Sequence, residues 1–255
     1  MTTSWFLTLA PRPEAPVRLF CLPYAGGSAA VYREWGKKLH DSIEVSAVEL
    51  PGRGWRLKDP PLDDLHALAD LTAHAIALAV DRPFALFGHS MGAWLALLVA
   101  RCLEERALTP TRLVVSGRQA PSMGSTTAPL SHLDDDAFVD EVENRYGAMP
   151  RQIMDDPDLR ALFLPTLRAD IRALEGYQHD AGRPLPCPIT AWGGEDDALV
   201  PRAHLELWSE ETASTFDCRT FPGRHFYFQP DPTAVLATLD QVVGVGASPL
   251  PWGTP

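Results

Sequence analysis

The sequence predicts an α/β fold in which helices flank a mostly parallel central sheet. Short apolar runs typical of strands alternate along the chain with longer runs of helical periodicity, and this alternation favours βαβ units. A second observation is the pentapeptide Gly-His-Ser-Met-Gly at residues 88–92, which separates an apolar strand from an apolar helix. A third is the stretch 120–183, which contains no convincing strand and interrupts the alternation.

Seven apolar runs are expected to form the strands: Trp5–Leu9, Val17–Leu22, Ile43–Leu50, Phe84–Phe87, Leu113–Ser116, Ile189–Trp192 and Phe216–Phe221. Helical periodicity predicts helices over Val31–Leu39, Leu62–Val80, Ala93–Leu108, Arg202–Glu211 and Thr233–Val243. The first strands are those expected to run antiparallel. Residues 1–255 suit one domain, and the Gly-, Pro- and Ser-rich residues 244–255 are expected to form a flexible tail.

The composition disfavours several classes of protein. A formal net charge of -11 argues against non-specific binding to nucleic acid or to an anionic membrane. No apolar run reaches the length of a membrane span, and the first residues lack the regions of a secretory signal. The four cysteines show neither a C-x-x-C pair nor a metal-ligand spacing. We therefore expect a cytoplasmic protein with reduced thiols, no metal and no cofactor, and a monomer by default.

Ser90 is the predicted nucleophile. A G-x-S-x-G pentapeptide between a strand and a helix is typical of the nucleophile elbow, the sharp turn that presents the reactive serine in the α/β-hydrolase fold. Residues 83–87 are short and apolar, and residues 93–103 are rich in large apolar side chains without Gly or Pro. The helix that follows the turn adds free backbone N–H groups next to the serine.

A serine hydroxyl needs an adjacent base, and His225 is the predicted one. In this fold the order along the chain is serine, then an acid, then histidine. Only His204 and His225 lie well beyond residue 183. His225 directly follows the last predicted strand, where a loop can carry the imidazole over the end of the sheet. His204 lies within a helical pattern and is expected at the surface.

The acid that orients the base is expected after the penultimate strand, where Glu195, Asp196 and Asp197 are consecutive. The common pattern is a Gly, two residues, the Asp, and an apolar residue three positions later. Asp197 satisfies it with Gly194 and Val200, and Asp196 satisfies its first half only. Asp197 is therefore preferred, with Asp196 as the alternative.

An oxyanion hole requires two backbone donors aimed at the developing negative charge. One is expected from Met91, the residue after the nucleophile. The other should come from the loop after an early strand, and the Gly-Gly loop at residues 22–28 is that loop. Within it, the N–H of Ala25 is the predicted second donor.

Residues 120–183 are expected to form a helical lid. Helical patterns cover residues 133–145 and 157–173, and a shorter stretch follows at 174–177. An insertion of this length is usually functional. Placed after the sixth strand of such a sheet, it would cover the carboxyl ends of the strands, where Ser90 is predicted. The alternative is that these helices only extend the core.

Segments spread over most of the chain resemble the type II thioesterases associated with polyketide and nonribosomal peptide synthases. These segments are Leu22–Ser28, Glu49–Gly54, Phe87–Ala93, Ser116–Pro121, Leu164–Asp170, Gly193–Asp197 and Phe221–Phe226. The elbow alone would fit any α/β-hydrolase, whereas the Pro-Gly-Arg, Ser-Gly-Arg and Arg-Ala-Asp elements together are more specific. The chain departs from the family pattern at Ser122, Ala198 and Arg224. The first and last of these departures bear on the substrate chamber and carrier docking, and so on the expected acyl preference.

The resemblance implies an enzyme that acts in trans on acyl groups held as thioesters on carrier-protein phosphopantetheine. It assigns Ser90 as nucleophile, His225 as base and Asp197 as its orienting acid, with the amides of Ala25 and Met91 as oxyanion hole. An acyltransferase or cyclase, a small-substrate carboxylesterase and a non-catalytic binding module are the alternatives. An acidic carrier would need basic residues near the site, and the candidates are Arg118, Arg145, Arg151, Arg168 and Arg224, although Arg53 and Arg168 also suit structural roles.

Overall fold

The computed structural model describes residues 5–147, 155–229 and 231–244. Within these ranges seven strands form one sheet, namely β1 (Phe6–Leu7), β2 (Val17–Leu22), β3 (Ile43–Val48), β4 (Phe84–His89), β5 (Arg112–Ser116), β6 (Ile189–Gly194) and β7 (Phe216–Phe221). The α-helices are α1 (Trp35–Lys38), α2 (Leu65–Ala79), α3 (Met91–Glu104), α4 (Asp135–Tyr146), α5 (Pro157–Gly176), α6 (Arg202–Glu206) and α7 (Thr233–Val243). Single 3₁₀ turns lie at Ala29–Tyr32, Gly54–Arg56, Pro121–Met123 and Leu207–Glu211.

The strand order places two site-forming loops next to each other. The order across the sheet is β1-β3-β2-β4-β5-β6-β7, with β1 antiparallel to β3 and every other neighbouring pair parallel. The chain moves outward from β2 to β3 and then returns to the opposite side of β2 with β4. Loops after β2 and β4 therefore meet at the switch point, the usual ligand site of open parallel sheets.

The core lies on both faces of the sheet. Along β4, Phe84 and Leu86 pack on the side of α2 and α3, while Ala85 and Phe87 pack on the opposite side with α1 and α7. All four side chains are fully buried. A strand covered on both faces reads as an unbroken apolar run, which is why β4 was recognisable from sequence.

The predicted α/β-hydrolase architecture is confirmed, with small changes at element ends. Helix α2 begins at Leu65 because the Asp64 side chain caps it, accepting from the N–H groups of His66 and Ala67. The expected helix over Val31–Leu39 is wrong as a single element, since a Ser28-capped 3₁₀ turn and the short α1 replace it. The tail beyond residue 244 lies outside the described residues.

The helical segment at residues 120–183 contains α4 and α5 and lies between β5 and β6. It therefore follows the fifth strand in chain order, one strand earlier than expected. Because β5 and β6 are parallel neighbours, the segment still leaves the sheet at the carboxyl edge, where the loops after β2 and β4 also emerge. The segment therefore leaves the sheet at the edge over which the sequence predicts that it lies.

The junction of β4 and α3 is held by two glycines that allow backbone to touch backbone. A Cβ added at Gly88 would lie 1.9 Å from the carbonyl oxygen of Gly92, and one added at Gly92 would lie 2.4 Å from the carbonyl oxygen of Leu22. Both distances are far below van der Waals contact. Helix α3 can therefore start directly against the ends of β2 and β4.

We predict that Gly88→Ala lowers the free energy of unfolding by about 3 kcal/mol, because rigid backbone cannot move away from the added methyl group. Gly176→Ala is the matched control, since a Cβ there meets no atom within 4 Å. The control should be neutral or stabilising by about 0.5–1 kcal/mol, because alanine lowers the conformational entropy of the unfolded chain. Urea unfolding curves of the two variants measure both values, and equal stabilities would contradict the close-contact explanation.

Candidate active site

Ser90 occupies a strained turn between β4 and α3. Its backbone has φ 54° and ψ −116°, a conformation that L-residues rarely adopt. The Ser90 N–H donates to the carbonyl oxygen of Ser116 on β5 at 2.7 Å, which holds the turn against the neighbouring strand. Ser90 is the N-cap of α3, so the N–H of Met91 has no acceptor inside the helix.

Three predicted site residues come together at the carboxyl edge of the sheet. Ser90 Oγ lies 3.1 Å from His225 Nε2, and His225 Nδ1 lies 2.8 Å from Asp197 Oδ2. Each of the three residues is at most 6% exposed. They follow β4, β7 and β6 respectively, so parallel strands of one sheet deliver all three from distant parts of the chain. A hydroxyl, an imidazole and a carboxylate in this contact order can activate the hydroxyl as a nucleophile.

The two candidate acids have different surroundings. Asp197 is buried, and both its carboxylate oxygens are used, since Oδ1 accepts from the N–H of Leu199 at 3.0 Å. Asp196 is exposed, and its backbone N–H donates to Gly223. His204 lies on α6, where its carbonyl accepts from the N–H of Ala120. The structure therefore brings Asp197 and His225, rather than Asp196 or His204, to Ser90.

A second histidine, His89, packs against His225 with 5.0 Å between ring centroids. Its Nδ1 is 2.8 Å from Ser116 Oγ, which in turn is 2.5 Å from the Tyr227 hydroxyl. Desolvation, followed by the field of His225, holds the pKa of His89 well below its usual value. His89 therefore stays neutral beside His225. No local pattern in the sequence indicates this contact, because His89 occupies a variable position of the elbow pattern.

The loop after β2 lies beside the elbow because β2 and β4 are hydrogen-bonded neighbours, with Leu22 opposite Gly88. Ala25 lines the same cavity as Ser90 and His225. The turn is closed by the N–H of Gly27, which donates to Tyr24 at 2.9 Å. Both residues predicted as oxyanion donors, Ala25 and Met91, thus lie on the segments that border Ser90.

A buried ion pair ties this loop to α5. Arg53 donates to both carboxylate oxygens of Asp170 at 2.7 Å, and Asp170 Oδ2 also accepts from the N–H of Gly26 at 2.7 Å. The Arg53 guanidinium reaches the carbonyl oxygen of Gly27 at 3.2 Å. The side chains of Arg53 and Asp170 are 5% and 0% exposed. This pair therefore holds the loop that carries Ala25 against the helical segment above it.

Asp170 had no assigned role in the sequence analysis. It was recognised only as the end of the Arg-Ala-Asp element. The available signal was its position in α5 between apolar neighbours that face the core, Leu167 and Ile171. A carboxylate on a buried helix face is almost always paired, which predicts a partner such as Arg53.

A cavity of about 210 Å³ opens at Ser90 and His225. Helices α4 and α5 supply an apolar wall, made of Val142, Phe163, Leu167, Ile171 and Leu174. Tyr146 at the end of α4 packs against His225, with 5.2 Å between ring centroids. The helical segment thus forms one side of the chamber in front of Ser90.

The five arginines considered for carrier docking have different surroundings. Arg118 is 9% exposed and lies 3.8 Å over the Trp94 ring, and its burial lowers its pKa. Arg168 donates to Ser131 and Leu133 carbonyl oxygens and packs over Phe138, so it has a structural role. Arg145 forms an ion pair with Glu141, and Arg224 is exposed to solvent. Arg151 lies outside the described residues.

Other kinds of site were searched in the described parts of the chain. Among these residues, His, Cys, Asp and Glu side chains form no cluster that could hold a metal ion. No helix there combines the length and apolarity needed to cross a membrane. The four cysteines are free thiols.

We predict that Asp170→Asn lowers the free energy of unfolding by about 3–5 kcal/mol, because it keeps the shape but removes the only charge bonded directly to the buried Arg53 guanidinium among the contacts described above. The matched control is Glu206→Gln, in the exposed Arg202–Glu206 pair, for which we expect no measurable change. Thermal and urea unfolding of both variants measure the effect. A loss no larger than that of the control would contradict a structural role for the pair.

Comparisons with known proteins agree with this geometry. The profile of the thioesterase domain family matches residues 17–242. The gramicidin S biosynthesis protein GrsT of Aneurinibacillus migulanus is 37% identical over 225 residues, which cover 88% of each chain. The thioesterase PikA5 of Streptomyces venezuelae is 39% identical, over 88% of this chain and 79% of its own.

Among solved structures, the type II thioesterase BorB from the borrelidin biosynthetic cluster superposes with a TM-score of 0.87 at 36% identity. The match covers 95% of this chain and 99% of that one. The chain therefore belongs to the thioesterase family, as a hydrolase of the type II group found in polyketide and nonribosomal peptide biosynthesis.

Proposed function

We propose that this enzyme acts in trans and hydrolyses acyl groups held as thioesters on the phosphopantetheine of carrier proteins. The observation that carries the proposal is the buried contact series from Ser90 through His225 to Asp197, placed at the floor of an apolar chamber. Family membership narrows the electrophile to a thioester. The relative GrsT is a gramicidin S biosynthesis protein, and the relative PikA5 is a thioesterase. These relatives support a substrate that is an intermediate of a biosynthetic pathway.

In the proposed acylation step, Ser90 Oγ attacks the thioester carbonyl carbon while His225 Nε2 takes the hydroxyl proton. The oxyanion that forms is stabilised by the N–H groups of Ala25 and Met91, and one such donor is worth about 3–4 kcal/mol of barrier. The C–S bond then breaks, and His225 returns the proton to the pantetheine thiolate. Asp197 accepts from Nδ1–H and keeps the ring in the required tautomer.

Deacylation repeats the cycle with water as nucleophile. His225 removes a proton from the water as it attacks the acyl-enzyme ester, and the C–O bond to Ser90 breaks as the proton returns to Oγ. His89 remains neutral during both steps, so no second positive charge opposes the imidazolium that forms on His225. The chemistry requires no metal and no cofactor of the enzyme itself.

The size of the chamber supports short acyl groups as substrates. A volume of about 210 Å³ is below the range of about 300–1,000 Å³ that drug-sized ligands occupy. Removal of short or aberrant acyl groups from carriers is an editing, or housekeeping, role. In this proposal the helical segment at residues 120–183 acts as a lid that admits the pantetheine arm and limits bulk water. The enzyme works as a cytoplasmic monomer beside its synthase.

We predict that a fluorophosphonate probe labels Ser90 stoichiometrically and that Asp197→Asn slows labelling by about 10³–10⁴-fold, because the imidazole loses its orienting anion. Asp196→Asn is the matched control, one residue away and exposed, and should label at the wild-type rate. Intact-mass measurements follow the adduct, with Ser90→Ala as the unlabelled reference. Slow labelling in Asp196→Asn alone would overturn the choice of acid.

We also predict that the wild-type enzyme releases acetyl and propionyl groups from loaded carrier protein, and that Ser90→Ala reduces release by at least about 10³-fold. The intact mass of the carrier reports the loss of each acyl group. Equal rates for wild type and Ser90→Ala would overturn the proposal. A preference for free oxygen esters would indicate a carboxylesterase instead, and acyl adducts with added amines or alcohols would indicate a transferase.

A further inference from the structure

A second cavity, here called the side groove, shares Phe163 with the chamber at Ser90. Its volume is about 360 Å³. The side groove and the chamber at Ser90 have three lining residues in common, namely Gly26, Ser28 and Phe163. Ser90 and His225 line the chamber but not the side groove. The two cavities are therefore adjacent spaces divided at these three residues.

Phe163 supplies the largest side chain at that division. Gly26 has no side chain, and Ser28 Oγ accepts from the N–H of Ala30, which it caps. The Phe163 ring lies against the Gly26 backbone, since a Cβ built on Gly26 would be 2.7 Å from Phe163 Cζ. The ring is only partly buried. Among the three shared residues, Phe163 is therefore the one whose side chain is large enough to close the division.

Several polar groups that line the side groove already have partners within the protein. The carbonyl oxygen of Gly52 accepts from Thr166 Oγ1 at 2.6 Å, and the Gly52 N–H donates to Arg56. The Gly26 N–H and the Arg53 guanidinium are both bound to Asp170. A ligand rich in amides, such as a pantetheine arm, would find these groups occupied and would gain no hydrogen bond from them.

The remaining wall is apolar and open to solvent. Leu57, Leu159 and Leu162 are 42%, 41% and 51% exposed, and all three line the side groove. A saturated carbon chain lying against them would remove apolar surface from water without the need for polar partners. The chemical character of the side groove therefore fits an alkyl chain rather than the thiol arm of the substrate.

We propose that the side groove is an extension site for the acyl chain, and that Phe163 closes it and so sets the longest acyl group the enzyme accepts. The inference rests on the proposed function, because the chain must begin at a carbonyl bound to Ser90. Short acyl groups stay within the chamber. Longer chains reach the Phe163 ring, which blocks their continuation between Gly26 and α5.

The test is the acyl-length profile of Phe163→Ala, measured with N-acetylcysteamine thioesters from acetyl to decanoyl. We expect kcat/KM for decanoyl to rise about tenfold or more, mostly through a lower KM, because each methylene buried in the opened groove adds about fourfold in affinity. Acetyl turnover should change far less. Phe163→Leu should give an intermediate profile, which provides a second variant if Phe163→Ala is unstable in thermal unfolding.

Leu167→Ala is the matched control, one helical turn further along α5. Leu167 lines the chamber but not the side groove, so its truncation enlarges the chamber and leaves the Phe163 ring in place. We expect no comparable gain for decanoyl. Adding Leu162→Asp to Phe163→Ala should remove the gain, because a carboxylate in the side groove opposes an alkyl chain.

Direct binding separates this inference from the proposed function. In the Ser90→Ala background, calorimetry should show tighter binding of decanoyl-N-acetylcysteamine when Phe163→Ala is added. Unchanged affinity and an unchanged length profile would overturn the extension site, even if short thioesters are hydrolysed normally. The extension site would also be overturned if the affinity of Phe163→Ala changed with the length of the thiol arm and not with the length of the acyl chain. If the wild-type enzyme hydrolysed no thioester at all, the proposed function would be contradicted. The binding result would still decide whether the side groove accepts the acyl chain.

Discussion

The close contact between β4 and the start of α3 is the constraint on which the rest of this structure depends. Gly88 and Gly92 let the helix begin directly against the strand ends, and the chain between them turns through the strained backbone of Ser90. The same contact brings α3 against the end of β2, because a Cβ on Gly92 would strike Leu22. The Ser90 turn and the Ala25 loop are therefore both positioned by this contact.

The helical segment is attached to this arrangement by charge as well as by apolar packing. Asp170 joins α5 to the Gly26 backbone and to Arg53, which itself lies in the loop after β3. A buried pair of this kind contributes little net stability, but breaking it is costly because a lone charge remains. Its effect is to specify one position of α5 relative to the site. The same helix carries Phe163, which lines the chamber in front of Ser90. The position of α5 therefore determines the shape of that chamber.

Much of the fold and part of the site could be predicted, for physical reasons that differ between residues. Ser90 was recognisable because the elbow requires small residues on both sides of a serine at a strand–helix junction. His225 and Asp197 could be proposed because each follows a predicted strand and because the fold places serine, acid and histidine in that order along the chain. Arg118 illustrates the opposite case: it was considered as a docking residue, but it lies buried over Trp94, and nothing local in the sequence distinguishes it from a surface arginine.

The sequence by itself determined the elements that depend on local rules: the strand–helix alternation, the glycine-flanked serine turn and the order of the site residues along the chain. Only the tertiary structure decided which groups meet across long separations. The contacts of His89 with His225 and of Asp170 with Arg53 join residues that are far apart in sequence. The place of Phe163 in the lining of two cavities likewise depends on distant segments. Such contacts depend on strand order and helix packing, which set distances that no local pattern of residues encodes.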